Sequence, residues 1–242
     1  MRSRRPQTCC TQGHANTPRR ERTQRGGTQL GPARALLKRD HGITTAGYAQ
    51  CDALHEYVAS QRADAASSWA DARLELYASP LTRAIQTALI ATDGIDKPLV
   101  LLPDARELGA GPIAGRDSLG AAVGVLEILD RVSDESARPL AIERVDAARC
   151  EARWWSRWEP HVRARRRVDR FLGELADGGD GPAAVVCHSL LIRSNLRRHC
   201  PDDGDLARGL IPNCSVLSID VGRDGDGALR LANPALAFNP TE

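Results

Sequence analysis

The sequence predicts an α/β domain whose central sheet is mostly parallel. Short apolar runs typical of buried strands, such as Ala-Ala-Val-Val-Cys at 183–187, alternate along the chain with longer stretches of helical periodicity. Strands that alternate with helices form βαβ units, in which neighbouring strands run parallel. The length of 242 residues is enough for one sizeable domain with a hydrophobic core.

The predicted elements follow in regular order from residue 44 onward. Small or apolar residues recur at helical spacing over 44–59, with Thr44 in the N-cap position. Glycines at 109, 111, 115 and 120 indicate a loop within 103–120. The other elements are strands over 74–78, 98–102, 183–187 and 216–221, and helices over 80–92, 121–132, 150–176 and 189–199. Residues 1–39 lack periodicity and predict an N-terminal arm, with the domain over 40–242.

The charge is unevenly distributed. The chain carries a formal net charge of +2, but residues 1–39 hold ten Arg or Lys against one Glu. Such a start is typical of an organelle transit peptide or a nucleic-acid-binding arm. No nucleic-acid motif accompanies it and aromatic residues make up only 4%, so we expect no nucleic-acid partner. A further basic cluster predicts a solvated helix face: Arg163, Arg165, Arg166 and Arg167.

The cysteines and the hydropathy bear on location. No apolar run approaches the ~20 residues of a membrane span, so no membrane partner is expected. The seven cysteines are scattered and include no Cys-x-x-Cys pair, which argues against a zinc site. Cys51, Cys187 and Cys214 lie in apolar contexts and predict buried free thiols, which favours a reducing compartment. We therefore expect a cytoplasmic protein, with organelle targeting by the basic start as the alternative.

Residues 79–88, Ser-Pro-Leu-Thr-Arg-Ala-Ile-Gln-Thr-Ala, are the most informative segment. Ser79 and Pro80 end the strand over 74–78 and open a helix. Arg83 is thereby placed at a helix N-terminus, where free N–H groups and the dipole favour an anion. A guanidinium there is suited to clamp a phosphate. A strand-to-helix joint with a surface arginine would give the same pattern.

Two more residues follow predicted strands. His188 comes directly after the strand over 183–187 and before a helix, and ligand sites of open α/β sheets lie at the carboxyl ends of strands. The alternative is a histidine that only caps the helix. Glu107 ends the segment Pro-Asp-Ala-Arg-Glu after the strand over 98–102. A glutamate there is either a site residue or a solvated loop side chain.

These segments, taken in order with Asp-His-Gly-Ile-Thr-Thr-Ala-Gly-Tyr-Ala-Gln at 40–50, resemble the histidine phosphatase superfamily, which includes the phosphoglycerate mutases. The resemblance implies a phosphoglycerate mutase-like three-layer sandwich and phosphomonoester hydrolysis through a phosphohistidine. It implies that Arg83 binds the phosphate, that His188 binds and polarises the transferring phosphoryl group, and that Glu107 is the general acid. It implies no metal and no cofactor, and a small phosphorylated substrate as partner. A mutase activity and the oligomeric state stay open.

The chain departs from the family at its defining Arg-His-Gly motif, which is absent. In one register Cys9-Cys10-Thr11 occupies the triplet, the nucleophile is lost, and a strand is needed over 2–8. In the other, Gly13-His14-Ala15 occupies it, His14 is the nucleophile, and Asn16 is a phosphate-binding candidate. This second register needs a strand over about 8–12, which is β-compatible, and it is favoured. The alternative function is a catalytically inactive member that binds phosphorylated ligands or partner proteins.

Overall fold

The computed structural model of the chain describes residues 5–12, 40–108, 125–150, 159–200 and 204–241. The strands of its sheet are β1 (Arg5–Gln12), β2 (Glu75–Ala78), β3 (Leu99–Leu101), β4 (Val145–Asp146), β5 (Ala183–His188), β6 (Val216–Arg223) and β7 (Leu229–Phe238). They lie in the order β4-β3-β2-β5-β1-β6-β7. The first four pairings in this order are parallel, whereas β6 pairs antiparallel with β1 and with β7. The prediction of a mostly parallel α/β sheet is confirmed.

Helices cover both faces of this sheet. They are α1 (Thr45–Ala63), α2 (Thr82–Ala91), α3 (Val125–Asp134), α4 (His161–Asp177), α5 (Ser189–His199) and α6 (Gly204–Arg208). One apolar core contains buried residues of α1, α2 and α3, and the other contains buried residues of α4, α5 and α6. The layers are therefore helix, sheet and helix. In the described part of the chain, no helix has the length and hydropathy needed to cross a membrane.

Strand β5 lies between the two cores. Ala184 and Val186 belong to the core with α1 and α2, while Val185 and Cys187 belong to the core with α4 and α5. A strand buried on both faces needs apolar residues at every position, which explains its unbroken apolar sequence. The structure also confirms Cys51, Cys187 and Cys214 as buried free thiols.

Strand β1 differs from both predicted versions, since it spans Arg5–Gln12 rather than 2–8 or 8–12. Its parallel ladder with β5 begins at Gln7, directly after Pro6, which has no N–H to donate. The ladder then continues to Gln12. The basic N-terminal region thus supplies a strand between β5 and β6.

Two strands were not predicted. Strand β7 contains Asn233 with a φ of 51° and then Pro234, which interrupt an alternating pattern. It lies at the edge of the sheet, where proline is tolerated because one side of the strand makes no ladder. Strand β4 has only two residues and offers no pattern to detect.

Candidate active site

The carboxyl ends of β2, β3 and β5 meet at one edge of the sheet. Ser79, directly after β2, donates its N–H to the carbonyl of Val186 in β5 at 2.9 Å. Leu102, directly after β3, donates to the carbonyl of Ala78 in β2 at 2.8 Å. His188 is the last residue of β5. Side chains that follow these strands are therefore brought to the same edge, as the sequence predicted.

His188 is fully buried at this edge. Its Nε2 lies 2.8 Å from the hydroxyl oxygen of Ser79, which is also fully buried. His188 occupies the N-cap position of α5 but makes no side-chain capping bond to that helix. The capping alternative is thus not supported, and the imidazole is instead held against the end of β2.

Glu107 is buried, and its side chain links the segment after β3 to helix α5. Its Oε1 accepts the N–H of Leu108 at 2.8 Å and the N–H of Leu191 at 3.2 Å. Leu191 lies in the first turn of α5, so the carboxylate caps the helix that follows His188. Glu107 is 2% exposed, which excludes the alternative of a solvated loop glutamate.

Arg83 lies in the first turn of α2 and is only 4% exposed, which excludes a surface arginine. The helix begins at Thr82, two residues later than predicted. The carboxylate of Asp40 lies at the N-terminus of this helix. Asp40 accepts the Thr82 N–H at 2.8 Å and the Thr82 hydroxyl at 3.0 Å. The first N–H of α2 is therefore already bound to a carboxylate, contrary to the expectation that it is free for an anion.

Asp40 is a residue whose role sequence reasoning missed, although it was part of the segment 40–50. Burial raises the pKa of Asp40, against the hydrogen bonds from Thr82 and the charges of Arg83 and Arg131, which lower it. Its backbone carbonyl accepts a hydrogen bond from Arg131 at 3.3 Å. Asp40 thus couples the start of α2 to α3 and lies in the electrostatic field of Arg83.

Arg167 on α4 is a second residue that sequence reasoning missed. Arg163, Arg165 and Arg166 are exposed, as predicted, but Arg167 is 4% exposed and the prediction of a solvated side chain is wrong for it. The spacing held a signal, because Arg167 falls on the apolar stripe of the helix at Ala164, Val168, Phe171 and Leu175.

Arg167 shares the buried carboxylate of Glu159 with Arg106. Glu159 Oε1 accepts Arg106 Nη2 at 2.6 Å and Arg167 Nε at 2.8 Å, and its Oε2 accepts Arg167 Nη2 at 2.9 Å. Burial and the charge of Arg167 lower the pKa of Arg106 to about 10, while Glu159 raises it. One carboxylate thus pairs with two guanidinium groups, and one of these, that of Arg167, also donates to the backbone carbonyl of Glu107.

The predicted nucleophile, His14, follows the end of β1 in the sequence. The ladder places Gln12, the last residue of β1, opposite His188. The triplet 9–11 lies inside the strand, whereas the triplet 13–15 comes after its last residue in the sequence. His14 and Asn16 themselves lie outside the described residues. Within the described ranges, no group of three His, Cys, Asp or Glu side chains is placed to hold a metal ion.

Comparisons with known proteins agree with this architecture. The family model that matches the chain is that of the histidine phosphatase superfamily (branch 1), over residues 33–234. A comparison with curated proteins found no match. Among solved structures, YhfR of Bacillus stearothermophilus has 14% sequence identity and a TM-score of 0.55, with 98% of this chain and 99% of that chain covered.

Two further solved structures share the fold. A mycobacterial glucosyl-3-phosphoglycerate phosphatase in complex with VO3 has 15% identity and a TM-score of 0.51, covering 97% of this chain and 98% of its own. A candidate alpha-ribazole-5'-P phosphatase of Escherichia coli K-12 has 17% identity and a TM-score of 0.53, covering 97% and 99%. The family match spans most of the sequence and supports a phosphatase-type function. The chain belongs to the histidine phosphatase superfamily.

Proposed function

We propose that this chain hydrolyses small phosphomonoesters through a phosphohistidine on His14. The observation that carries the proposal is the buried imidazole of His188, bound to Ser79 at the same sheet edge to which Glu107 is brought. An imidazole and a carboxylate at the carboxyl edge of a parallel sheet are suited to charge stabilisation and proton transfer. The structural neighbours named as phosphatases support the same class of reaction.

The reaction runs in two steps. A nitrogen of the His14 imidazole attacks phosphorus, the bond from phosphorus to the ester oxygen breaks, and Glu107 gives its proton to the leaving alkoxide. Water then attacks the phosphohistidine, the phosphorus–nitrogen bond breaks, and the Glu107 carboxylate takes a proton from that water. Inorganic phosphate leaves, and both side chains return to their starting states.

In this proposal, Oε1 of Glu107 stays bound to the N–H groups of Leu108 and Leu191, and Oε2 carries the transferred proton. Arg83 and His188 stabilise the charge on the equatorial oxygens in this proposal, with Asn16 as an additional donor. Because Asp40 already takes the first N–H of α2, side chains rather than helix amides dominate phosphate binding in this proposal.

A second function is favoured by one specific observation. The ladder places Gln12 opposite His188, and a glutamine amide forms hydrogen bonds but no phosphohistidine. If Gln12 occupies the place of the nucleophile, the chain binds phosphorylated ligands at Arg83 and His188 without turnover. Loss of the nucleophile abolishes the covalent route whatever the other residues do.

The test is hydrolysis of an aryl phosphate by the full-length chain without added metal, at mildly acidic pH. We expect slow turnover that His188→Ala abolishes and His199→Ala leaves unchanged, since His199 lies at the far end of α5, paired with Asp169. Gly13→Arg should raise the rate by ~10²-fold, because it restores a phosphate donor beside His14.

The competing function makes the opposite prediction. If neither the natural chain nor Gly13→Arg turns over, while orthovanadate binds and the binding is lost in Arg83→Ala, the chain is a binder rather than an enzyme. Gain of turnover in Gln12→His would then identify position 12 as the place of the missing nucleophile. Absence of both turnover and vanadate binding would refute both functions.

A further inference from the structure

We infer that Arg167 is the positioning residue of Glu107. The inference rests on the proposed function, in which Glu107 transfers the proton. Arg167 does not touch the carboxylate of Glu107. It holds the backbone of the segment that carries Glu107, while the side chain of Glu107 is held by another helix.

Every N–H of the Arg167 guanidinium is used. Nη1 donates to the carbonyls of Asp104 and Arg106 at 2.6 and 2.8 Å, and Nη2 donates to the carbonyl of Glu107 at 3.0 Å. Nε and Nη2 also donate to the two oxygens of Glu159 at 2.8 and 2.9 Å. These contacts match the five N–H donors of a guanidinium. A lysine has three donors from one point and cannot reproduce this arrangement.

Glu107 is consequently held from two sides. Arg167 of α4 fixes its carbonyl oxygen, and the Leu191 N–H of α5 fixes its carboxylate at Oε1. The position of the carboxylate therefore depends on the hydrogen bonds that hold the backbone of residues 104–107 to Arg167. A displacement of about 1 Å at a reacting group costs on the order of 10²-fold in rate, so this support matters for proton transfer.

Glu159 supports the same arrangement indirectly. Its carboxylate fixes the plane of the Arg167 guanidinium through two hydrogen bonds, and it neutralises the charge of a side chain that is almost fully buried. Arg170, one turn further along α4, also contacts this segment, but through the exposed pair with the Asp104 side chain. Among the described side chains of α4, Arg167 is thus the one that holds the backbone of this segment.

The distinguishing measurement is the amide resonance of Leu191, because the N–H of Leu191 donates a hydrogen bond to Glu107 Oε1. In a ¹H–¹⁵N spectrum of the full-length chain, Glu107→Ala should move this resonance, because its acceptor is lost. Arg167→Lys should shift the Leu191 resonance in the same direction, most of the way to the position that it has in Glu107→Ala. The substituted side chain belongs to α4 and Leu191 belongs to α5, so this shift reports on Glu107 between them. Arg166→Lys, an exposed neighbour on α4, should leave it in place.

Activity gives the second readout. Arg167→Lys should lower kcat by ~10²-fold with little change in KM, because the phosphate ligands are untouched. If the chain has no turnover, the proposed function fails, but the Leu191 resonance still tests the positioning. A wild-type position of that resonance in folded Arg167→Lys would overturn the inference whatever the activity. Should Arg167→Lys not fold, Glu159→Asp carries the test, with a smaller movement expected in the same direction.

Discussion

Replacement of Asp40 tests whether burial or charge pairing dominates at the start of α2. Asp40 is fully buried and accepts the N–H and the hydroxyl of Thr82. Asp40→Ala removes both hydrogen bonds to a charged acceptor, each worth about 1.5–3 kcal/mol, and relieves part of the burial cost. We expect a loss of about 3 kcal/mol in the free energy of unfolding. For a chain of this length, that corresponds to roughly 6–12 °C in Tm.

Asp40→Asn should behave differently. The amide oxygen keeps the bond to the Thr82 N–H, and the Thr82 hydroxyl can rotate to accept from the new NH₂ group. Because burial raises the pKa of Asp40, the surroundings disfavour its charge in spite of Arg83 and Arg131. Removal of that charge should leave stability at pH 7 within about 1 kcal/mol of the wild type or increase it.

The pH dependence has a defined sign. The pKa of Asp40 lies above its unfolded value of 3.8, so between the two values the folded chain holds more protons. Its contribution to stability therefore grows as the pH falls through that window, and the advantage of Asp40→Asn should shrink from pH 7 towards pH 4.5. Urea unfolding at both pH values measures this, with the exposed Asp52→Asn as the control for loss of one surface carboxylate.

The same variant bears on ligand binding. Asp40→Asn removes the negative charge that competes with a phosphate for Arg83, so orthovanadate should bind several-fold more tightly. A loss of stability at pH 7 as large in Asp40→Asn as in Asp40→Ala would refute the expectation that burial outweighs charge pairing at Asp40. Attraction to the arginines would then exceed the cost of burial.

Two further predictions concern buried ionisable groups. Glu159→Gln should lower the free energy of unfolding by about 3–5 kcal/mol, since it leaves two buried guanidinium groups without their counter-charge. The exposed Glu174→Gln should cost less than about 1 kcal/mol in the same urea titration. Cys51 is 0% exposed and Cys150 is 1% exposed. Iodoacetamide at pH 9 should therefore label both thiols far more slowly in the folded chain than in the urea-unfolded chain, as measured by mass spectrometry, and labelling of either thiol at the unfolded rate would contradict its burial.

The fold was predictable where local sequence carries the burial pattern. Strand β5 is apolar at each position before its final histidine because both of its faces are covered, and the helix Ser189–His199 matches the predicted bounds. Strand β1 was predicted in two versions and matched neither, because its bounds are set by ladders with β5 and β6. Strands β5 and β6 lie far along the chain from β1, so the local sequence of β1 does not predict which residues pair with it.

The candidate site was predictable to a similar extent. Arg83, Glu107 and His188 each follow a strand end, which a single sequence reveals, and their roles stay predictions. Asp40 and Arg167 were missed because their importance arises from contacts with residues 42 and 60 positions away. The contact of Asp40 has no local signature, since a carboxylate that caps a distant helix looks like any loop aspartate. The place of Arg167 on the apolar stripe of its helix indicates burial, but it does not identify the carbonyls that Arg167 binds.

Helices α2 and α5 are both capped at their N-termini by an acidic side chain from elsewhere in the chain. Asp40 caps α2 and Glu107 caps α5, each from a distant segment. Both helix N-termini therefore already hold the carboxyl group of a side chain, and an incoming phosphate competes with these groups for the helix N–H donors. In the proposed function, Arg83 and His188 then carry most of the attraction for the phosphate. Since the proposal assigns binding and proton transfer to residues outside β1, the group at the end of β1 or directly after it is what separates a phosphatase from a phosphate-binding protein. Gly13→Arg restores an arginine beside His14, whereas Gln12→His introduces a histidine opposite His188. Only one of these two variants should gain turnover.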